Sequence, residues 1–528
     1  MGRFVNPDNC AFQKAVNSEI YVDKTGLLSY TNKVVDTKQA FICNSRPRRF
    51  GKSTTADMLA AYYSKGCDSE RLFMDLAVGG TESFRKYLNK YDVIHFDLQW
   101  FIDPSGEIDG LIKNIQEIII EELRNEYPGV LEPDMTGLPD AMSVINEKTG
   151  NRFVVIIDEW DVLIRDEAQN QKIQEEYIGF LRRMFKGTEP TKYIALAFLT
   201  GILPIKKLRT QSALNNFSEF TMLDSRIFSE YTGFTEEEVR RLCEKYGRDF
   251  LKVKRWYNGY LLEKYRVYNP KAVVEVLTWN KYQSYWSETG SYETVVPLIN
   301  MDFDGLKEGI IEMLSGDSIK IDVTTFQNDM IHFSCRDDVL TYLIHLGYLA
   351  YDQEHQRAFV PNEEIRQELS RAVRRKKWNE MLDFSRKSEE LLEATLELDA
   401  QAVAEKVEKI HKEYVSAIQY NNENSLSSVL TIAYLSTMQY YFKPVRELPT
   451  GRGFADFVYV PKPEYKNDYP ALIVELKWNQ RAQTALQQIR EKQYPASILD
   501  YTGDILLIGI NYNKKTKSHE CIIEEYQK

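Results

Sequence analysis

The sequence lacks the cysteine patterns that mark specialised small domains. Its six cysteines stand far apart, with no C-x-x-C pair and no cysteine–histidine cluster at zinc-ligand spacing. This excludes a disulfide framework and a zinc module, and it predicts buried free thiols in a reducing compartment.

Long apolar runs are also missing. No stretch of about 18 apolar residues occurs, so no membrane-spanning helix is expected. The opening "MGRFVNPDNCAFQKAV" has no signal-peptide core and lacks the Ser or Thr that a myristoylation signal carries at its sixth position. We therefore expect a soluble cytoplasmic protein with no membrane partner.

A surplus of positive charge is absent as well. The net charge is −11 over 528 residues, so the chain is not a simple basic nucleic-acid coat, and any such contact must come from local patches. The composition is otherwise that of a globular protein: 43% hydrophobic, with 33 tyrosines and 25 phenylalanines. Its length allows about three or four domains.

The stretch "SRPRRFGKST" (45–54) comes close to the phosphate-loop pattern G-x-x-x-x-G-K-[ST], but Arg46 stands where the first glycine belongs. An apolar strand (39–45) precedes it and a helix (53–64) follows. Gly51 lets the backbone approach phosphates, Lys52 supplies charge to the β- and γ-phosphates, and Ser53 offers a hydroxyl to Mg²⁺. The predicted nucleotide-binding residues of the loop are Arg46, Pro47, Arg48, Arg49, Phe50, Gly51, Lys52, Ser53 and Thr54.

A second element follows about 105 residues later. "RFVVIIDEW" (152–160) is typical of a buried parallel strand that ends in two carboxylates. Asp158 would hold Mg²⁺ through water, and Glu159 would orient the attacking water. A third predicted strand, 192–201, ends in Thr200 and Gly201, and a polar residue there can touch the γ-phosphate or the attacking water. Residues 91–99 make a fourth strand. Ligands bind at the carboxyl ends of such strands.

These motifs resemble the bacterial AAA-ATPase-like family. The resemblance runs from about residue 8 to 225 and rests on "YVDKTGLL" (21–28), "RPRRFGKST" (46–54), "VVIIDEWDVLI" (154–164), "LTGILPIKK" (199–207) and "SALNNFSEFTML" (212–223). It implies an AAA+-type ATPase core in which Arg46 is the usual residue. It also brings Tyr21, Asp23 and Lys24 near the nucleotide, with a structural turn as the alternative. For the arginine finger, the open candidates are Arg182, Arg183, Arg209 and Arg226.

The region after residue 225 is predicted to be helical. Segments 234–247 and 253–277 are expected as helices of a lid, the first with a Thr235–Glu238 capping box. Residues 337–369 favour a helix, a Gly347 turn and two short strands, an arrangement that resembles a winged helix and can either bind DNA or pack. The amphipathic stretch 388–414 is interpreted as a connector. The basic run before it is interpreted as a solvated helix face, with phosphate contact as the alternative; its residues are Arg371, Arg374, Arg375, Lys376 and Lys377.

Carboxylates interrupt two apolar strands in the last third of the chain. Glu475 and Lys477 lie two apart in "PALIVELKW" (470–478) and so share a face, which Asp456 in "GRGFADFVYVPKP" (451–463) can reach from a neighbouring strand. Buried charges are costly unless they are paired or bind metal. Asp456, Glu475 and the carbonyl of Leu476 would hold Mg²⁺, with Mn²⁺ as an alternative, and Lys477 would position or deprotonate the attacking water.

The order of elements here is helix 423–439, strands at about 442–447, 453–460 and 471–477, helix 481–495 and strand 504–513. With Asp…Glu-x-Lys on the second and third strands, it resembles the PD-(D/E)xK nuclease superfamily over about 420–528. The resemblance implies a further metal-ligand carboxylate at Glu423, with a first-turn helix residue as the alternative. It also implies a polar group facing the site from Gln487 or Gln488, with Lys492 one turn later.

We thus expect an α/β multidomain protein. Its predicted parts are an AAA-ATPase-like parallel-sheet domain (1–225), a helical lid region (226–335), a winged-helix-like and helical connector region (336–415) and a restriction-endonuclease-like α/β domain (416–528). The expected function is ATP-controlled, Mg²⁺-dependent cleavage of nucleic acid, DNA in preference to RNA, with homo-oligomerisation left open. The alternative is a nucleotide-switch regulator or scaffold whose nuclease-like domain binds without cutting.

Overall fold

The structure is a computed structural model. It describes residues 2–102, 110–165, 170–205, 214–286, 292–301, 303–326, 333–374, 379–414, 430, 433–434, 436–442, 444–450, 453–491 and 503–526. The chain divides into two compact units. The first consists of Met1–Glu288 and Lys320–Glu364, and the second of Thr289–Ile319 and Ile365–Lys528. The four-part division made from the sequence stays a prediction beside this one.

A five-stranded parallel sheet forms the core of the first unit. Its strands lie in the order β2-β3-β4-β1-β5. They are β1 (Phe41–Ser45), β2 (Asp92–Asp97), β3 (Phe153–Asp158), β4 (Ile194–Gly201) and β5 (Ser218–Phe220). Every residue of β1, β3 and β4 is buried, because helices cover both faces of the sheet. This confirms the strands predicted from the four continuous apolar runs.

Helices pack around this sheet, and further helices follow it in the chain. They are α1 (Cys10–Val16), α2 (Leu27–Val34), α3 (Lys52–Tyr63), α4 (Glu70–Phe73), α5 (Phe84–Tyr87), α6 (Leu111–Glu126), α7 (Leu138–Thr149), α8 (Val162–Arg165), α9 (Gln171–Phe185), α10 (Pro190–Tyr193), α11 (Glu236–Tyr246), α12 (Phe250–Tyr257) and α13 (Pro270–Trp279). Short 3₁₀ turns occur at Ala77–Gly80, Leu98–Phe101 and Arg226–Ser229. The predicted capping box of α11 is confirmed, with Thr235 and Glu238 bonding each other's backbone N–H groups.

One predicted helix is wrong. Segment 253–277 is not continuous, because β7 (Tyr260–Leu262) and β8 (Tyr265–Tyr268) form an antiparallel hairpin inside it, extended by β6 (Phe234–Thr235). Tyr260, Val267 and Tyr268 are buried at this hairpin. Aromatic and β-branched residues are enriched in strands, and here they outweigh the helical spacing of the flanking segments.

The winged-helix-like segment has the predicted elements. They are α16 (Arg336–Leu346), a turn at Gly347, β10 (Ala350–Asp352) and β11 (Arg357–Phe359), the last two paired antiparallel. Every residue of α16 from Asp338 to His345 is buried. A helix buried on all sides cannot enter a DNA groove, so this burial favours the packing alternative.

The second unit holds a mixed five-stranded sheet in the order β12-β13-β14-β15-β16, with β14 and β15 parallel and the other neighbours antiparallel. Its strands are β12 (Val445–Thr450), β13 (Gly453–Tyr459), β14 (Ala471–Trp478), β15 (Ile505–Asn513) and β16 (Ser518–Glu525). The first strand begins three residues later than predicted. The last strand was not predicted at all.

The remaining elements complete the chain. They are α14 (Tyr292–Ile299), α15 (Leu306–Leu314), β9 (Ser318–Lys320), α17 (Glu363–Arg374), α18 (Asn379–Leu396), α19 (Ala400–Tyr414), α20 (Thr437–Tyr440), a 3₁₀ turn (Pro463–Tyr465) and α21 (Ala482–Glu491). One face of the second sheet packs against α18 and α19 through Leu391, Val403 and Val407. The stretch 388–414 is therefore part of this core rather than a bare connector. The described part of the chain contains no helix of the length and apolarity needed to cross a membrane.

Candidate functional site

The loop between β1 and α3 opens at the carboxyl edge of the first sheet. The helix α3 begins at Lys52 and runs for 12 residues, so the backbone N–H groups of its first turn have no carbonyl partner within the helix. The side chains of Ser53 and Thr54 are exposed at this end, whereas Lys52 is buried. Free N–H groups, a hydroxyl and a lysine at one helix start form an anion site.

Lys52 connects this loop to β3. Its Nζ donates a hydrogen bond to the carbonyl oxygen of Pro47 at 3.2 Å and lies 3.5 Å from Oε1 of Glu159. Only 4% of the Lys52 side chain is exposed. The structure therefore brings together the lysine and the glutamate that the sequence placed on separate motifs.

The pKa values of the two carboxylates at the end of β3 are shifted in opposite directions. Burial, with help from the neighbouring Glu159 and Asp97, raises the pKa of Asp158 to about 7, although a Ser53 hydrogen bond and Lys52 act against it. Burial alone would also raise the pKa of Glu159, but Lys52 and arginine side chains outweigh it and lower that pKa. Glu159 also has φ 48, a strained conformation typical of functional positions.

This carboxylate edge fits a divalent cation. Asp158 and the Ser53 hydroxyl, which hydrogen-bonds Asp158, supply the hard oxygen donors that such an ion binds. Among the described residues there is no group of three or more His, Cys, Asp or Glu side chains at metal-ligand spacing. Mg²⁺ is usually held by one or two carboxylates together with water and phosphate ligands, and Asp158 with Ser53 fits that pattern.

Arg46 and Thr200 lie within the sheet. Arg46 is fully buried; its N–H donates to the carbonyl oxygen of Gly201, and its guanidinium donates to the carbonyl oxygens of Ser45 and Phe220. Burial lowers its pKa to about 9. Thr200 is also buried and donates its hydroxyl to the carbonyl oxygen of Asn44. The side chains of both residues therefore bond backbone carbonyl oxygens.

Residues outside the sheet hold the rest of the loop. Phe50 is buried against Tyr260, with ring centroids 5.2 Å apart, and its carbonyl oxygen accepts from Gly233 N–H. The carbonyl oxygen of Arg48, whose side chain is exposed, accepts from the Asn269 amide at 3.5 Å.

Arg49 makes the longest-range of these contacts. It has φ 69 and donates a hydrogen bond from its guanidinium to the carbonyl oxygen of Tyr285. The N–H groups of Tyr285 and Trp286 in turn donate to Oε1 of Glu364, at 2.7 and 3.0 Å. We call these four residues the Arg49–Glu364 clasp. It connects the loop between β1 and α3 to Glu364, the last residue that belongs to the first unit.

The residues assigned only by family likeness have other partners here. Lys24 donates to Glu238 at 2.7 Å. Asp23 accepts from Thr25, a contact typical of a structural turn, and from the more distant Ala77 N–H.

Two of the four arginine-finger candidates form ion pairs on the surface. Arg183 pairs with Asp140 and Arg226 with Asp224, whereas Arg209 lies outside the described residues.

Sequence reasoning missed three residues at this edge. Asp97 ends β2 in register with Asp158, and its pKa is raised chiefly by burial. Asp161 and Arg165 follow β3, and Arg165 lies 3.4 Å from both Glu159 and Asp161. Asp97 was visible as the carboxylate at the end of a predicted strand, whereas Arg165 carried no signal in the sequence.

A second group of polar residues lies on the sheet of the second unit. Glu475 and Lys477 share one face of β14 and are almost completely buried, with Lys477 Nζ 2.9 Å from Glu475 Oε1. Oδ2 of Asp456 accepts a hydrogen bond from the backbone N–H of Leu476 at 2.7 Å. Asp456 thus bonds the backbone of the residue that lies between Glu475 and Lys477.

Helix α21 completes this group from the same face. The amide of Gln488 donates to Oε1 of Glu475, whereas Gln487 is exposed and bonds Glu491. Gly509 lies opposite Glu475 in the register of β14 and β15, and a Cβ there would meet the carbonyl oxygen of Ala482 at 2.7 Å. The glycine lets α21 approach closely enough for Gln488 to reach the site.

A hard divalent cation binds carboxylate oxygens. A lysine beside it can hold the water that attacks the substrate. Asp456 and Glu475 can supply the oxygens, and Lys477 the charge. Glu423 and Lys492 lie outside the described residues, as do Arg375, Lys376 and Lys377 of the basic run. Arg371 of that run pairs with Glu368.

Two stretches of the chain match known protein families. Residues 11–209 match the family model described as "Predicted AAA-ATPase", and residues 421–521 match that of the PD-(D/E)XK nuclease superfamily. The chain therefore carries an AAA-ATPase-like domain followed by a PD-(D/E)XK superfamily domain, as the sequence motifs predicted. The expected fold class, a parallel-sheet domain, a helical middle and a C-terminal α/β domain, is confirmed.

One curated relative is 27% identical over 283 residues. It is the "Uncharacterized protein in vnfD 5'region" of Azotobacter chroococcum, and the alignment covers 53% of this chain and 52% of that protein. The chain thus spans about half the length of this relative.

Two solved structures show weak similarity. The Aeropyrum pernix ORC2 protein, in ADPNP-ADP complexes, has a TM-score of 0.32 and 9% identity, covering 69% of this chain and 98% of that one. A DNA replication initiation factor has a TM-score of 0.25 and 10% identity, covering 80% of this chain and 97% of that one.

Proposed function

We propose that the chain is an ATPase whose nucleotide state controls a metal-dependent phosphodiesterase acting on nucleic acid, DNA in preference to RNA. The observation that carries this proposal is the buried Glu475–Lys477 pair beside Asp456. Burying an ion pair in an apolar sheet is costly, and a hydrophobic pair of similar volume would be as stable or more so. Chemistry accounts for these charges better than stability does.

In the first unit, Lys52 and the N-terminal N–H groups of α3 bind the nucleotide phosphates. Ser53 and Asp158 hold Mg²⁺, which neutralises phosphate charge when it is bound. Glu159 stays ionised at neutral pH and orients the attacking water. The exposed side chains of Arg48 and Thr54 border the same opening. Arg46, Pro47, Phe50 and Thr200 shape the loop and the strand end behind it.

In the second unit, Asp456 and Glu475 hold Mg²⁺ or Mn²⁺, with Glu423 as a further ligand. Such an ion supplies Lewis-acid stabilisation of the phosphodiester. Lys477 positions or deprotonates the attacking water and balances the charge that develops on the phosphate. Gln488 holds the Glu475 carboxylate in place. The choice of nucleic acid as substrate rests on likeness to the nuclease superfamily.

The Arg49–Glu364 clasp supports control by nucleotide. Arg49 belongs to the loop that surrounds the phosphates, and Glu364 is the last residue before the chain passes into the second unit. A change in the loop on nucleotide binding therefore has a hydrogen-bonded route to this crossing point. Function in the cytoplasm and homo-oligomerisation belong to the same proposal.

The test is cleavage of DNA with Mg²⁺ or Mn²⁺, with and without ATP. Cleavage that depends on Lys477 and responds to ATP is expected. ATP hydrolysis without cleavage of DNA or RNA would favour the regulator or scaffold, in which the second unit binds without cutting.

A further inference from the structure

Glu159 lies between two cations that approach its two carboxylate oxygens. Lys52 Nζ is 3.5 Å from Oε1, and the NH1 group of Arg165 is 3.4 Å from Oε2. Lys52 belongs to the phosphate loop, so Oε1 faces the nucleotide side. Arg165, at the end of α8, therefore holds the carboxylate from behind.

Arg165 is itself fixed by Asp161. Its NH1 group lies 3.4 Å from both carboxylate oxygens of Asp161, one turn earlier. Only 4% of the Arg165 side chain and none of the Asp161 side chain is exposed. This arrangement leaves little room for Arg165 to adopt another rotamer.

Asp161 is anchored to the segment that follows β4. Its Oδ2 accepts hydrogen bonds from the backbone N–H groups of Ile202 and Leu203, at 3.0 and 2.8 Å. The close approach depends on Gly201, where a Cβ would meet Asp161 Oδ1 at 2.4 Å. The rigid strand β4 thus determines where Asp161 lies, and through it where Arg165 lies.

We propose that Arg165 is a positioning residue for Glu159 in ATP hydrolysis, with Asp161 as its anchor. This inference rests on the proposed ATPase function. When nucleotide binds, Lys52 turns to the phosphates and no longer restrains Oε1. Arg165 then remains as the cation that keeps Oε2 in place, which leaves Oε1 aimed at the attacking water. Without Arg165, the carboxylate rotates among orientations of which few are productive.

The experiment compares the full-length wild type with Arg165→Gln, Arg165→Lys and Asp161→Asn. Affinity for ATP is measured by titration, and kcat and KM by phosphate release. Arg165→Gln should lower kcat about 10²-fold, the typical cost of a misplaced catalytic group. ATP affinity should stay within about threefold of the wild type, since the ion pairs of Arg165 with Glu159 and Asp161 hold the carboxylate that orients the water and not the groups that bind phosphate. Arg165→Lys should restore part of kcat.

A double variant separates positioning from a general structural effect. If Arg165 acts through Glu159, adding Arg165→Gln to Glu159→Gln should cost nothing further in kcat. Arg85→Gln is the matched control, because Arg85 forms an exposed pair with Glu70 and should behave as the wild type. Asp161→Asn keeps the shape of the anchor and provides the test should Arg165→Gln fail to fold.

An unchanged kcat in Arg165→Gln, or additive losses in the double variant, would overturn the inference while leaving the ATPase proposal intact. Equal losses of affinity and turnover would overturn it in the same way. A wild type that binds ATP without hydrolysing it would overturn the proposed ATPase activity, and the role of Arg165 with it.

Discussion

The side-chain amide of Gln488 donates a hydrogen bond to Oε1 of Glu475, the same oxygen that Lys477 approaches. Its neighbour Gln487 points elsewhere and bonds Glu491 on the exposed side of the helix. Adjacent glutamines on α21 therefore have different roles, and the pair offers a matched comparison.

Replacing Gln488 by alanine should slow cleavage by about tenfold, because residues that hold a metal-ligand carboxylate typically contribute 10- to 100-fold. Gln487→Ala should leave the rate unchanged. Both rates come from the same cleavage assay with Mg²⁺. Equal effects of the two substitutions would show that Gln488 does not serve the site.

Arg46→Gly would restore the ordinary glycine of a phosphate loop, and we expect it to harm the protein. The substitution removes the guanidinium that bonds the carbonyl oxygens of Ser45 and Phe220 and leaves a void between β1 and β5. The free energy of unfolding should fall by about 2–4 kcal/mol. Chemical denaturation measures it.

Arg46→Met is the control, since it keeps most of the buried volume and removes the charge. It should destabilise less than Arg46→Gly, because two N–H groups of the guanidinium have no hydrogen-bond partner among the described residues. Tighter ATP binding by Arg46→Gly, with unchanged stability, would show that the loop prefers glycine after all.

Asp57 on α3 should make stability depend on pH. Burial raises its pKa from 3.8 to about 6. The folded state therefore disfavours the ionised carboxylate: the cost is fully present above pH 6 and disappears as the pH falls towards 4. At neutral pH, Asp57→Asn should raise the free energy of unfolding by about 1–2 kcal/mol.

That gain should vanish near pH 4, which denaturation curves at several pH values would show. Asp75→Asn, at an exposed position, should change little at either pH. A gain for Asp57→Asn that is the same at both pH values would contradict the assigned cause.

Several elements could be predicted because their signal is local. The strands β1, β3 and β4 are mostly apolar runs. Asp158 and Glu159 were identified because they stand at the end of β3. Glu475 and Lys477 were found because a two-residue spacing fixes a common face on a strand. The sequence predicted that either Gln487 or Gln488 faces the site. It could not decide between them, because the answer depends on how α21 packs on Gly509.

Other features depend on contacts between distant segments. Nothing near Arg165 in the sequence shows that it reaches Glu159 and is held through Asp161 by β4. The strand β16 was missed because its charged residues, Glu520 and Glu524, interrupt the apolar pattern at the edge of the sheet. The loop residues Arg46 and Arg49 have cationic side chains that suit a phosphate, and only the fold shows that they bond carbonyl oxygens.

Breaking the Arg49–Glu364 clasp should separate the two activities. Glu364→Ala removes the acceptor for the N–H groups of Tyr285 and Trp286. We expect the effect of ATP on cleavage to shrink by about 2- to 30-fold, equivalent to a coupling of about 0.5–2 kcal/mol, with ATP hydrolysis maintained. Glu354→Ala, at an exposed turn, is the control. Undiminished control by ATP in Glu364→Ala would exclude the clasp as the route.

The most direct test of the account is cleavage of plasmid and single-stranded DNA with Mg²⁺ or Mn²⁺, in the presence and absence of ATP. Wild type, Lys477→Ala and Lys52→Ala are compared side by side. We predict cleavage by the wild type that Lys477→Ala abolishes and that ATP alters, with the ATP effect lost in Lys52→Ala. Absence of cleavage of DNA, and then of RNA, while ATP is still hydrolysed would contradict the account.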